Sequence, residues 1–252
     1  MVGNRLLAAL PPADLSLLTP HFQNVSFELD TVLVHAGDQL DKVYFPHSGV
    51  IAFMVEVPEG QTVATTLMGS EGAIGSLTVL GPSISAVTAT ARVAGTASQI
   101  LATKLQHACA RSFAIRHVVQ VHLRTQLLQL QDVAACNALH SVERRMARWL
   151  LQIHDRVADD ALLLTQESLA QLLGVRRTTV TLTMSRLRAA GAIKSERRGL
   201  IEIDRARLES MVCGCHAVMH RRIDRHYDEE LSARQRMSVL LRESLPSPEA
   251  NI

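Results

Sequence analysis

Residues 165–200 constrain this chain more than any other stretch. They open Thr165-Gln-Glu-Ser-Leu-Ala-Gln-Leu-Leu-Gly-Val-Arg-Arg-Thr-Thr-Val. Leu169, Leu172 and Leu173 fall on one face of a helix, with Ala170 small enough for a second helix to cross closely. Gly174 stands where the first helix must end, since a backbone with positive φ costs glycine least. Val175, Val180 and Leu187 then bury a second helix against the first, and Arg176, Arg177, Thr178, Thr181 and Ser185 are left pointing outward. A helix-turn-helix presents those positions to base edges in the major groove. Between Val175 and Leu200 there are seven basic side chains and one acidic one, Glu196. Ala192 to Ile203 predicts two short strands about a turn at Arg198-Gly199, a wing whose Lys194, Arg197 and Arg198 would touch phosphates. An amphipathic helix pair with a solvated charged face would not also need the turn glycine, the basic second helix and the hairpin. Arg177, Thr178 and Thr181 are expected to read bases, with Arg176 or Arg186 joining them and Thr179 holding the DNA backbone.

The rest of the chain has a different texture. Short runs rich in β-branched residues (25–29, 31–35, 43–45, 50–57, 62–68, 88–94 and 97–101) are separated by glycine-containing turns such as Gly37-Asp38, Gly49, Gly60 and Gly69. This pattern predicts an antiparallel barrel or roll, preceded by a short helix around Ala13–Leu18. From Arg111 the period becomes helical. Leu123, Leu127, Leu130 and Ala134 are spaced four, three and four apart, a coiled-coil seam that Ile115 and Val119 extend upstream. A long helix between two domains with such a seam is expected to pair with its twin. Ser141 can cap a further helix, Val142 to His154, with Trp149, Met146 and Ile153 on its apolar face. The charge is uneven too. Residues 1–110 hold four basic and eight acidic side chains, whereas 111–252 hold 22 and 16, and arginine outnumbers lysine 23 to 3. Arginine suits phosphates and guanine edges because its planar fork bonds them bidentately.

Other function classes fit less well. No apolar run approaches the roughly 18–20 residues of a membrane helix, and Val2 to Ser16 lacks a signal-peptide layout, so a cytoplasmic protein is expected. No nucleophile has a positioned base or oxyanion context, so no catalytic residue and no enzyme is expected. Four cysteines are too few for a disulfide scaffold at this length. Cys213-Gly-Cys215-His216 resembles a metal site, but no fourth ligand stands at the usual spacing, and no metal is assigned. His21, His35 and His47 are isolated and read as ordinary histidines.

Taken together, these features resemble the Crp–Fnr family of bacterial transcription regulators over roughly Phe22 to Leu208. The matching residues are Gly37-Asp38, Tyr44-Phe45, Gly49, Gly60, Gly69 and Gly75, then Gln171-Leu-Leu-Gly-Val-Arg-Arg-Thr-Thr-Val. The resemblance implies an α+β fold: an N-terminal antiparallel β-roll like a cyclic-nucleotide-binding domain, a long dimerisation helix and a C-terminal winged helix-turn-helix. On this reading the sensor occupies 1–110, the dimer helix 111–139, the DNA-binding domain 140–207, and a helical extension and tail 208–252. It implies a homodimer on a two-fold symmetric DNA operator, with RNA polymerase a candidate further partner and no membrane association. Gly75, Ser76 and Leu77 occupy the segment where relatives hold a cyclic nucleotide. Those relatives carry Gly-Glu-Leu for the ribose hydroxyl and an arginine for the phosphate. Here Ser76 replaces the glutamate, and Ser83-Ile-Ser-Ala-Val has no arginine. A cyclic phosphate would be uncompensated there, so cyclic AMP is disfavoured and no cofactor is assigned. No cysteine precedes Cys109, so the N-terminal iron–sulfur cluster of oxygen-sensing relatives is not expected. Leu182 stands where the best-known relatives have an arginine. The rival reading is a ligand-sensing module whose winged helix binds a protein partner.

Overall fold

Alternation in the first hundred residues is written into two facing sheets. The computed structural model describes residues 3–157, 159, 161–197 and 199–224. After two single-turn helices, α1 (Arg5–Ala8) and α2 (Pro12–Leu15), come seven strands: β1 (Gln23–Phe27), β2 (Val32–Val34), β3 (Lys42–Pro46), β4 (Val50–Glu56), β5 (Thr62–Met68), β6 (Thr88–Val93) and β7 (Gly95–Leu101). They pair antiparallel in the orders β1-β7-β3 and β2-β6-β4-β5, the expected roll. Phe27, Ile51, Met68, Ile74 and Ala91 fill its interior.

The helical period begins earlier than the sequence predicts, with α3 (Ala102–Arg111), whose Ala102, Leu105, Ala108 and Cys109 are buried against the roll. Ser112 then breaks the chain and caps the long helix α4 (Phe113–Leu139), accepting a hydrogen bond from the Ile115 amide. Ser141 caps α5 (Val142–His154) in the same way through the Arg144 amide.

The winged helix follows: β8 (Ala161–Leu163), α6 (Gln166–Leu173), α7 (Arg177–Ala189), β9 (Ile193–Arg197), β10 (Leu200–Ile203) and α8 (Arg205–Met211). Strand β8, too short a run to stand out in the sequence, joins the wing in the order β8-β10-β9. Residues 215–224 are again helical.

Strand β4 is apolar on both faces, and both faces are used. Ile51 points into the roll, while Val50, Ala52 and Met54 share a core with Trp149, Leu150, Leu169, Leu173 and Val180. The winged helix therefore packs directly on the β4–β5 face. Arg92, almost fully buried, bonds Asp30 Oδ1 and Gln171 Oε1, each at 2.8 Å, and so bridges the roll to α6. A second bridge joins Arg156, after α5, to Glu71, after β5, with Nε 2.8 Å from Oε1.

The expectation that Ile115 and Val119 extend a dimer seam is contradicted. Ile115 and Val119 are buried in the chain's own core with Leu6, Leu7, Leu18 and Leu105, so they are not free for a partner, and Leu123 is half-buried against the same core. Leu127, Leu130 and Ala134 remain exposed. The cause is length: α4 packs on α1–α3 over its first three turns before it leaves the roll.

The segment after α8, for which the sequence provides no account, returns to α4. Met219 packs with Val133 and Cys136. Arg222 pairs with Asp132 at 3.0 Å, and Asp224 pairs with Arg5 at 3.1 Å.

Candidate nucleic-acid interface and effector pocket

The interface is built from a tight turn between two helices. Thr165 caps α6 by accepting from the Ser168 amide at 3.0 Å, and Gly174 ends it in the left-handed region at φ 63. A Cβ on Gly174 would also come within 2.9 Å of Val63 Cγ2, so glycine serves both the turn and the docking on β5. Leu169, Leu172 and Leu173 then face Val180, Met184 and Leu187 across the crossing.

With those side chains inside, Arg176, Arg177, Thr178, Thr181, Ser185 and Arg186 are exposed, and Thr179 is half-buried. The Thr181 hydroxyl lies 3.0 Å from Gln166 Oε1 and 3.1 Å from the Arg177 carbonyl, which fixes its rotamer at the surface. Arg186 comes no nearer than 3.9 Å to Glu143, a weak exposed pair. Leu182, noted in the sequence only as a departure, is 55% exposed on the same face as Thr178 and Ser185. An exposed leucine among threonines was legible as a helical-wheel outlier. On the wing, Lys194 is exposed, Arg197 is the last residue of β9, and Arg198 lies outside the described residues.

The second site is the interior of the roll. Gly75 takes φ 82, and a Cβ there would collide with the Lys42 carbonyl, so the segment 75–77 is pressed against β3. A cavity of ≈ 50 Å³ opens there, lined by Gly75, Ser76, Leu77, Phe53, Ser85 and Val87 with Gln126 of α4 at its edge. Every lining side chain is neutral. Ser76 is buried and its hydroxyl points to the Ala73 carbonyl at 3.4 Å. Residues 1–110 contain two arginines: Arg5 is paired with Asp224 and Arg92 with Asp30, and neither lines this cavity.

His122 ties the pocket to α4. Its Nε2 lies 3.1 Å from the Ala73 carbonyl and 3.3 Å from the Ala73 amide, and the ring is 2% exposed. Burial pushes its pKa down to about 4, and the Ala73 hydrogen bond and the Glu71 charge offset only part of that. An unfolded imidazole titrates near 6.5. His122 therefore contributes stability that is fully present above about pH 6.5 and is lost as pH falls toward 4, by up to about 1.4 kcal/mol per pH unit. Asp155 acts in a lower window. Burial alone would raise its pKa, but hydrogen bonds from His216 and Arg205 outweigh it and hold it at about 2. Urea midpoints measured from pH 7 to 4.5 should fall steeply for the wild type and less so for His122→Gln. Superimposable curves would remove His122 from this role.

The sequence placed Cys213, Cys215 and His216 together. In the structure His216 turns away to bond Asp155 at 2.8 Å, and Cys136 and His140 come in instead. No helix among the described residues is long and apolar enough to cross a membrane.

Comparison with known proteins follows the same division of the chain. A family described as cyclic nucleotide-binding domain matches residues 24–112, and one described as Crp-like helix-turn-helix domain matches residues 144–211. The chain is 26% identical over 218 residues to a CRP-like cAMP-activated global transcriptional regulator of Mycobacterium tuberculosis, spanning 81% of this chain and 94% of that one. Among solved structures, FixK2 from Bradyrhizobium japonicum superposes with a TM-score of 0.66 at 17% identity, covering 76% of this chain and 98% of that one. A transcriptional regulator of the crp/fnr family from Eubacterium rectale gives 0.67 at 18% identity, covering 82% and 96%.

Proposed function

This chain belongs to the Crp–Fnr family of transcription regulators, a non-enzymatic family, and we propose that it acts as a homodimer whose two α7 helices read a two-fold symmetric operator. The observation that carries this reading is the outer face of α7, where Arg176, Arg177, Thr178, Thr181 and Ser185 stand exposed after the Gly174 turn. Arg177 is assigned to a guanine edge, Thr178 and Thr181 to neighbouring bases, and Leu182 to a thymine methyl. Thr179, Lys194, Arg197 and Arg198 are assigned to phosphates, with Arg176 and Arg186 at the margin of the base contacts. The sensor is assigned to 1–110, the dimer helix to 111–139 and the DNA-binding domain to 140–207, with 208–252 an extension.

Selection of DNA from a random pool tests this. The expected winners are inverted repeats, bound with an affinity that falls steeply with salt as counterions are released. A protein that enriches no sequence, or whose binding ignores salt, fits the rival reading in which the winged helix meets a protein.

The effector is assigned to the neutral pocket at Gly75, Ser76 and Leu77, and its chemistry follows from the lining. A cyclic phosphate there would have no cation within the pocket to balance it. A small uncharged molecule suits it better, and Gln126 would carry its arrival to α4. Calorimetry with cyclic AMP is expected to show no saturable site at micromolar concentration. A site that saturates in that range would overturn the assignment.

A further inference from the structure

We propose that Cys136, His140, Cys213 and Cys215 form a closed, tetrahedral zinc site that clamps the chain after α8 to the end of α4. The four come from distant parts of the sequence: Cys136 lies in the last turn of α4, His140 just beyond it, and Cys213 and Cys215 follow α8. Their ligand atoms all lie within 4.8 Å of one another. Cys136 Sγ is 3.6 Å from Cys213 Sγ, and Cys215 Sγ is 3.6 Å from His140 Nδ1. A tetrahedron with Zn–S of about 2.3 Å and Zn–N of about 2.0–2.1 Å has edges of roughly 3.8 Å between sulfurs and 3.6 Å between sulfur and nitrogen. The observed pairs match those edges. A disulfide would need about 2.05 Å, and an iron–sulfur cluster would interpose several atoms and hold the cysteines farther apart.

Charge gives a second, independent reason. Arg148 on α5 is 0% exposed. Its Nη1 bonds the neutral Gln152 Oε1 at 3.0 Å, while Nε and Nη2 have no hydrogen-bond partner. It has no carboxylate within ion-pair distance among the described residues, and the groups whose charge would favour its cation are Cys136, Cys213 and Cys215. Beside neutral thiols this buried guanidinium has only the Trp149 ring, 4.5 Å from its Cζ, and one neutral amide to offset its charge, which leaves it costly. Three thiolates and an imidazole around a divalent ion leave the site with one negative charge, which Arg148 balances. Binding releases the thiol protons to solvent and needs no redox partner.

Four protein ligands leave no open position, so the site is structural rather than catalytic. Its place gives it a task. α4 stops at Leu139 and α5 starts at Val142, so His140 is part of the joint between the long helix and the winged helix. Zinc would fix that joint, and loss of zinc would free it. Cys109 lies apart, on the buried face of α3, and takes no part.

The test uses the full-length chain purified under reducing conditions. Elemental analysis is expected to find one zinc per chain. After chelation, Co2+ should bind one-to-one with the visible absorption and thiolate charge transfer of a tetrahedral thiolate site, and zinc should displace it. Cys213→Ser with Cys215→Ser should abolish both signals, and Cys109→Ser should preserve them. Arg148→Met keeps all four ligands and should weaken metal binding about 10–100-fold. The cobalt titration of the wild type needs no variant to fold. Reduced wild type that binds neither ion, iron with sulfide in place of zinc, or a Cys136–Cys213 disulfide in metal-free protein would each overturn the proposal. So would metal retained by the double serine variant, or unchanged affinity in Arg148→Met.

Discussion

A chain carrying Leu127→Glu and Leu130→Glu is expected to sediment as a folded monomer and to lose operator affinity by about 10²–10⁴-fold. Both leucines are large, apolar and exposed, at 58% and 40%, on a helix whose other faces are occupied. One side packs on the roll, and Cys213 and Met219 cover Val133 and Cys136 on another. Two carboxylates per chain at a symmetric seam would face their own copies, and burying like charges together costs several kcal/mol. Within one chain the same positions face solvent, so the variant should melt within a few degrees of wild type. The DNA effect comes from valency. A dimer binds the second half-site at the effective concentration set by the first, and a monomer forfeits that gain. Sedimentation at micromolar protein and a binding isotherm on a selected inverted repeat read both outcomes. A variant that remains dimeric would show that the partner docks elsewhere. Monomers that bind as tightly as wild type would remove the need for two half-sites.

Leu123 lies on the same stripe as Leu130 but is half-buried against the chain's own core. The 4-3-4 spacing groups residues that share one helical face, because that is what periodicity reports. It cannot report what that face meets. Ile115 and Val119 lie on the same stripe, yet α1 and α3 cover them, and nothing local to residues 113–139 announces those helices. The strands were legible because they are short runs rich in β-branched residues, most of them bounded by turn glycines. The six-residue apolar run of β4, Val50 to Val55, even carried the signature of a strand buried on both sides. Its second partner, the winged helix some hundred residues later, lies beyond any pattern of local period. The metal ligands divide in the same way. Cys213 and Cys215 stand out because they are close neighbours, whereas Cys136 and His140 look like ordinary residues of a helix end until the fold brings them within 4.8 Å of that pair. His216 was the natural third ligand by proximity in sequence. Asp155 holds it elsewhere.

Arg177→Ala and Arg197→Ala should fail in different ways, and the difference locates helix and wing on DNA. Arg177 opens α7, exposed, and directly follows Arg176, the residue that caps the helix without a side-chain hydrogen bond. From that position a guanidinium can reach guanine O6 and N7 together. Its loss should cost about 1–3 kcal/mol and relax preference at one base in each half-site. Arg197 ends β9, where the wing turns back into β10. A wing residue meets phosphate, which carries no sequence information, so Arg197→Ala should weaken all sequences alike. The slope of log affinity against log salt should also become shallower by about one unit for each phosphate that is no longer neutralised. In a dimer each change occurs twice, so both effects should appear symmetrically at half-sites about one helical turn apart. Leu182→Ala is the internal control on the same helix: it should lower discrimination for a thymine without changing the salt slope, since packing on a methyl group displaces no counterion. Selection profiles and salt titrations of the three variants separate these outcomes. Base preference that shifts in Arg197→Ala while Arg177→Ala keeps the wild-type profile would place the wing, not α7, in the major groove.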